Sequence, residues 1–467
     1  MVLSRIWSAF IIVAIAITSI KYVSSGHYKT IFNDMVVGKG GDTVQIATQK
    51  MNTLSPVVRD SLMKNPDFAD SRIHYKTDSL KQDVKVYRVQ EADGVIGTSE
   101  TAVKICIGLI GIMTLFMGFM SIAEKAGGIN LLSRLIQPFF SKLFPEIPKN
   151  HPAFGHMLMN FSANLLGLDN AATPFGLKAM ESLQTLNPNK DTASNSQIMF
   201  LCLHAGGMTL IPVSIIAIRA SMGSKTPTDI FLPCMIATFA ATLAAMIIVS
   251  LYQKINLLRP VVIAYVGGIS AIIALLVVYL VQLSKDELDM FSKVLSNGLI
   301  LFIFLAIVLG AVYKKINVFD AFIEGAKEGF TTCVKIIPYL VGMLIAISLL
   351  RTSGVFDVII DGMKWVAYTA NFDSRFVDGL PTALIKPLSG SGARGMMVDT
   401  MSTFGADSFQ GKLAAVLQGS SDTTFYVIAV YFGAVAVKNT RYTVIAMLLA
   451  DLVGVITAIA LAYLFFA

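Results

Sequence analysis

Apolar residues in this chain come in runs of about 20, the length a helix needs to cross a bilayer core of about 30 Å. Such runs cover residues 6–22, 102–123, 198–220, 228–252, 260–283, 289–313, 333–350, 411–435 and 442–466, and each predicts a membrane-embedded helix. Two other stretches, 152–187 and 377–410, are moderately apolar but broken by Gly, Pro and polar residues. Irregular backbone persists at membrane depth only where protein or a watery cavity surrounds it, so both read as re-entrant hairpins. Residues 24–97 differ again, with ten Lys/Arg and nine Asp/Glu, and with a strand-like alternation at Val84–Val89. They read as a small extracytoplasmic subdomain. Before it, residues 1–23 read as an N-terminal helix, and the small residues of Val23, Ser24 and Ser25 also fit a cleaved leader.

Composition sharpens the class. Of 467 residues, 55% are hydrophobic and 14% charged, and the mean hydropathy is +0.68. A soluble domain carries about 25% charged residues. A soluble enzyme and a disordered chain are both excluded, leaving a polytopic membrane protein. The net charge of +7 comes without a basic, aromatic-interleaved stripe, so no nucleic-acid partner is implied. Its Lys and Arg flank apolar runs instead. Lys254, Arg259, Lys314, Lys315, Lys438 and Arg441 make basic loops, whereas residues 285–289 are mostly acidic. Placing the basic loops in the cytoplasm puts 24–97 outside, although Arg219, Lys225 and Arg351 then fall on the wrong side. Cys106, Cys202, Cys234 and Cys333 each sit singly in an apolar run and suggest neither disulfide nor metal.

The chain also repeats itself. Lys104 and Gly111 line up with Lys335 and Gly342, and His204–Val213 falls on Gln418–Val427 at a constant offset of 214. One unit of helix, hairpin, broken helix and helix occupies 98–253 and recurs at 325–467, with two linking helices in 254–324. The first unit enters from outside and the second from the cytoplasm. The fold class is thus an all-α membrane protein of two inverted-topology repeats, each with a re-entrant hairpin and a broken helix, plus the extracytoplasmic insertion. Secondary transporters are built this way.

Polar residues gather at the breaks. Gln418, Ser420, Ser421, Asp422, Thr423 and Thr424 interrupt an apolar run. A mid-span Asp costs on the order of 3 kcal/mol on insertion scales, so it faces a cavity or a partner. Asp422 therefore carries charge or a proton for a bound solute, or pairs with Arg394 or Lys386 as internal glue. The matching segment of the first unit holds His204 and Thr209, with Pro212 following. His204 either joins Asp422 in a proton relay or bonds a neighbouring helix. The hairpins supply Asn164, Asp169, Asn170 and Thr173, and Ser389, Ser391 and Arg394. Half-helices starting after Pro174 or Gly395 would aim positive ends at the site, which suits an anionic solute. Gly390 and Gly392 lie in no nucleotide-binding loop motif, so nucleotide hydrolysis is rejected.

Several of these stretches resemble a known family. Asn160–Gly167 and Lys178–Asn187 resemble spore maturation protein A. Phe322–Gly329, Pro387–Gly392, Gln418–Tyr426 and Lys438–Tyr442 resemble spore maturation protein B. Together they look like a fusion of two proteins of the nucleoside recognition, or gate, group. Asp169, the segment His204–Gly207 and Asp422 depart from that pattern. The resemblance implies a multi-pass protein of the bacterial cytoplasmic (inner) membrane that moves a solute, not an enzyme.

The function expected is secondary transport of a small polar or anionic metabolite (a nucleoside, amino acid or carboxylate) coupled to H⁺ or Na⁺. No cofactor or metal is expected, the bilayer is the other partner, and homo-oligomerisation is left open. The alternative is a non-transporting envelope or spore-maturation factor that binds partners through 24–97.

Overall fold

The computed structural model describes residues 2–25, 31–51, 59, 62–63, 67–70, 73–78, 83–148, 151–166, 169–283, 285–369 and 373–466. The chain opens with α1 (Val2–Ser25) and a short α2 (Ile31–Val36). Strands β1 (Gly38–Lys50), β2 (Asp67–Asp70), β3 (Ile73–Asp78) and β4 (Asp83–Asp93) then form a sheet in the order β1-β4-β3-β2. All pairings are antiparallel, and Val84 of β4 faces Gln49 on one side and Thr77 on the other. The alternation at Val84–Val89 therefore belongs to a central strand. Its partners mix charge with apolar residues too thoroughly to show a period of two, which is why one strand was expected where four exist.

The rest of the described chain is helical. The first half runs α3 (Val95–Lys125), α4 (Gly128–Leu143), α5 (Pro152–Leu165), α6 (Asp169–Leu186), α7 (Asn195–Ala205), α8 (Val213–Ser221) and α9 (Phe231–Gln253). Two helices link the halves: α10 (Pro260–Gln282), with a π turn at Ile263–Gly267, and α11 (Lys285–Tyr313). The second half runs α12 (Val318–Thr352), α13 (Val355–Thr369), a 3-10 turn at Ser374–Gly379, α14 (Leu380–Ile385), α15 (Gly390–Phe404), α16 (Phe409–Gly419), α17 (Thr424–Ala434) and α18 (Thr443–Phe466). The same order of elements thus occurs twice. Helices α4 and α13 lie within the expected units 98–253 and 325–467 but are additional to the helix, hairpin, broken helix and helix expected there. They carry only one apolar face and give no run long enough to register as a span.

Among the described residues, six helices are long and apolar enough to cross a membrane: α3, α9, α10, α18 and the segments Trp7–Ser24 and Val294–Tyr313. This is a multi-pass membrane protein. Its halves meet most extensively along α3 and α12. A methyl group added at Gly325 would lie 2.2 Å from the Met117 carbonyl oxygen, and one at Gly329 2.7 Å from that of Met113. Two glycines four apart let the backbones touch, the packing that substitutes for hydrophobic drive between helices in lipid. The buried core then continues through α7, α9, α16 and α18, the helices that hold the broken segments in place.

Candidate functional site

Both broken helices start from the same local device. Ser194 caps α7 by accepting the Gln197 amide at 3.3 Å, and Ser408, 214 positions later, caps α16 by accepting the Gly411 amide at 3.0 Å. Each supplies an acceptor to a helix start whose first amides have no partner within the helix. The helices then end differently. α7 stops at Gly206 and Gly207, the latter at φ +63°, and Pro212 sets the direction of α8. α16 stops at Ser420, whose hydroxyl donates to the Leu417 carbonyl at 2.9 Å. Helix α17 resumes at Thr424.

The two breaks lie against each other. The Asp422 amide donates to the Ala205 carbonyl across 2.8 Å. His204 Nε2 stands 3.6 Å from Asp422 Oδ2. His204 Nδ1 lies 2.9 Å from Asn164 Nδ2 and 3.1 Å from Asn160 Oδ1, so α5 orients the ring. Beside this junction is a cavity of about 290 Å³ bounded by residues of both halves. From the first half come Asn164, Thr173, His204 and Thr209; from the second, Arg394, Gln418, Ser421, Asp422 and Thr423. The Asp422 side chain is 45% exposed, whereas His204 is buried behind it. Gln418 Oε1 is a buried acceptor with no partner among the described residues.

Other expected site residues fall elsewhere. Ser420 turns back onto its own helix, and Thr424 donates from the buried start of α17 to Asp451 Oδ2. Ser389 caps α15 through the Gly392 amide at 2.9 Å, and Ser391, one residue into that helix, is not part of the cavity wall. A helix cap and a backbone carbonyl take the Ser389 and Ser420 hydroxyls, and the Asp451 carboxylate takes that of Thr424. Asp169 and Asn170 begin α6, and their side chains lie outside the described residues.

Two further charged residues belong to the site: Lys386, considered in the sequence only as a partner for Asp422, and Asp451, which was not singled out in the sequence. Lys386, buried at the turn after α14, donates its ammonium to the Gln418 carbonyl and lines the cavity. Asp451 is 6% exposed inside α18. A lone carboxylate in an otherwise apolar span is the signal that could have revealed it. The free carbonyls at the end of α16 attract the ammonium, and the Thr424 hydroxyl meets the carboxylate. The second break is therefore held between opposite charges.

The halves also clasp each other at both rims. On one, Lys438 and Asn439 amides donate to the Asp191 carbonyl at 2.8 and 2.9 Å, and Ala193 donates to Asn439 at 2.9 Å. On the other, fully buried Arg219 bonds the Ala406 carbonyl at 2.7 Å and Asp407 at 3.1 Å, and pairs with Asp229 at 2.9 Å. Lys412 reaches Asp229 at 2.7 Å. The loop before α7 thus meets the loop after α17, and the loop before α16 meets the loop after α8.

Comparison with known proteins agrees with this division. The Gate family model, described as nucleoside recognition, matches residues 106–222 and 333–438. Spore maturation protein A of Bacillus subtilis (strain 168) is 46% identical over 156 residues, covering 33% of this chain and 80% of that protein. Spore maturation protein B of the same organism is 45% identical over 172 residues, covering 37% of this chain and 95% of that protein. The two matches fall on different parts of the chain. No solved structure matches. The chain belongs to the spore maturation protein A and B family of gate-domain proteins, with an A-like and a B-like part joined in one polypeptide.

Proposed function

We propose that the protein is a secondary transporter whose substrate occupies the cavity between the two broken helices. The observation that carries this reading is the junction of Ala205 and Asp422, where both halves present polar groups to one cavity. Buried polar residues are costly in a membrane unless something compensates them. Arg394 and Lys386 offer positive charge, Asp422 negative charge, and Gln418 Oε1 an open acceptor. A small polar or anionic metabolite that also donates a hydrogen bond fits this set: a nucleoside, amino acid or carboxylate. Asp422, exposed to the cavity, is the residue for a coupling H⁺ or Na⁺.

The repeats are read as inverted, with α5–α6 and α14–α15 as re-entrant hairpins. In support, the rim contacts pair the same loops of each half with their roles exchanged. Alternating access would open one rim while the other stays closed. The protein is placed in the bacterial cytoplasmic membrane with 24–97 outside and the Lys314–Lys315 loop inside. It needs no cofactor in this scheme.

The test is the melting temperature of the purified protein against nucleosides, amino acids, carboxylates and cations, beside uptake into proteoliposomes, for wild type and Asp422→Asn. One solute class is expected to stabilise the wild type alone, and the folded variant to lose coupled uptake. If the variant does not fold, Asp422 is structural glue. If nothing shifts either protein, the second reading takes over: an envelope factor acting through the sheet of 24–97. The names of both relatives also fit that alternative.

A further inference from the structure

Next to the central cavity, with Ile211 between them, an apolar groove of about 520 Å³ runs between α4 and α11. Leu131, Leu132, Phe302, Ile303, Ala306 and Ile307 form its wall. Arg134 and Lys314 also line it, both exposed and neither in an ion pair among the described residues. From Phe302 to Lys314 the helix rises about 18 Å. That is close to the ~15 Å depth of one leaflet in a 30 Å core. Tyr313, beside Lys314, is 84% exposed, and amphipathic aromatics collect at the level of the lipid headgroups.

Arg134 and Asn130 face a second recess as well, of about 350 Å³, whose wall includes Ser133, Gln137 and His151. The apolar groove and this shallow recess of mixed polarity, walled also by Phe154, Leu158 and Met159, therefore share one cation. Helix α4 joins them, with Leu131 and Leu135 exposed on one side and Arg134 and Lys142 as its basic residues. A basic amphipathic helix of this kind lies in the membrane interface. The basic loop at Lys314–Lys315 puts this interface on the cytoplasmic side, where anionic lipids attract such residues.

We propose that the two cavities are a binding site for an anionic phospholipid with a hydroxylated headgroup, of the phosphatidylglycerol type. One acyl chain fills the groove, Arg134 and Lys314 hold the phosphate, and the Asn130, Ser133, Gln137 and His151 side of the recess takes the headgroup hydroxyls. The site is independent of whether the central cavity transports anything.

Native mass spectrometry of the full chain, released from nanodiscs of equal phosphatidylglycerol and phosphatidylcholine, tests this. Wild type is expected to retain one phosphatidylglycerol in preference to phosphatidylcholine. Arg134→Gln with Lys314→Gln is expected to weaken that retention about fivefold per charge removed, while Lys142→Gln leaves it unchanged. Gly310 lines the groove and a methyl group there meets nothing within 4 Å, so Gly310→Leu is expected to fill the channel and expel the lipid without lowering the melting temperature. Equal retention of both lipids by wild type would overturn the proposal, as would unchanged retention in the charge variant. Displacement by free glycerol phosphate would also overturn it, since it would mean a site for a soluble phosphate. Should Gly310→Leu not fold, the charge variant decides alone.

Discussion

The Asp422 amide and the Ala205 carbonyl meet across 2.8 Å, so a residue inside the second break is hydrogen-bonded to the last helical residue before the first. Each chain end at a break has lost partners within its helix, and each finds one in the opposite half. The geometry around this bond depends on Gly207. It lies at φ +63°, and a methyl group there would stand 3.2 Å from the Asp422 nitrogen. Gly207→Ala is therefore expected to destabilise the protein by about 1–3 kcal/mol through backbone strain and displacement of Asp422. Thermal unfolding in detergent measures it. A melting temperature equal to wild type would mean that the two breaks are not held in register by this contact.

Arg219 is fully buried and joins the halves at one rim through Asp407 and the Ala406 carbonyl while pairing with Asp229. Removing one partner of a buried ion pair leaves the other uncompensated. Arg219→Met is expected to cost about 3–5 kcal/mol. Adding Asp229→Asn should recover at most a small part of that loss, because in the single variant Lys412 still pairs with the Asp229 carboxylate, at 2.7 Å. A double variant no more stable than the single one would show that the bonds to the Ala406 carbonyl and Asp407 carry the whole effect.

Asp407 in the same rim predicts a pH dependence. Burial raises its carboxyl, but the Ser224 hydroxyl, the Lys225 amide and Arg219 outweigh burial and hold it below its ordinary value. A group depressed in the folded state contributes stability that is complete above its unfolded value, about 3.9. That contribution disappears as pH falls through the folded value. The melting temperature of wild type should therefore fall more steeply than that of Asp407→Asn as pH drops below about 4. Parallel curves would remove Asp407 from the account of this rim.

Thr424 and Asp451 form a buried contact behind the second break. Thr424→Val keeps the shape and removes the hydroxyl, so the Asp451 carboxylate loses a donor at a cost of about 1–3 kcal/mol. Asp451→Asn in that background should restore stability, since burying an amide is less costly than burying a charge. Denaturant unfolding of the four combinations gives the coupling directly. Additive effects would mean that the two residues act separately.

Much of the architecture is legible in the sequence because the bilayer imposes it. A span must be about 20 apolar residues long, and Phe231–Gln253 and Thr443–Phe466 announce themselves by that rule alone. The breaks are legible for a related reason. Gly206, Gly207 and Pro212 in one apolar run, and Gln418–Thr424 in another, cannot continue a helix in lipid without help. The offset of 214 that links them rests on residue identity and needs no coordinates. Helices α4 and α13 were missed because one apolar face per turn does not make a long apolar run.

Tertiary structure alone decided which polar groups remain free to meet a solute. Ser389, Ser420 and Thr424 resemble Thr423 in sequence, yet helix capping, a backbone carbonyl and Asp451 claim the first three. A hydroxyl reaches only about 3 Å, so its partner depends on what the fold brings alongside, and those partners here come from both near and distant positions. The same holds for Lys386 at the end of α16 and for Arg219 between the halves, whose partners are 32 and 188 positions away. Periodicity and composition determine where this chain enters the membrane and where it must break. Contacts between distant segments determine which charges are satisfied within the protein and which are left facing the cavity.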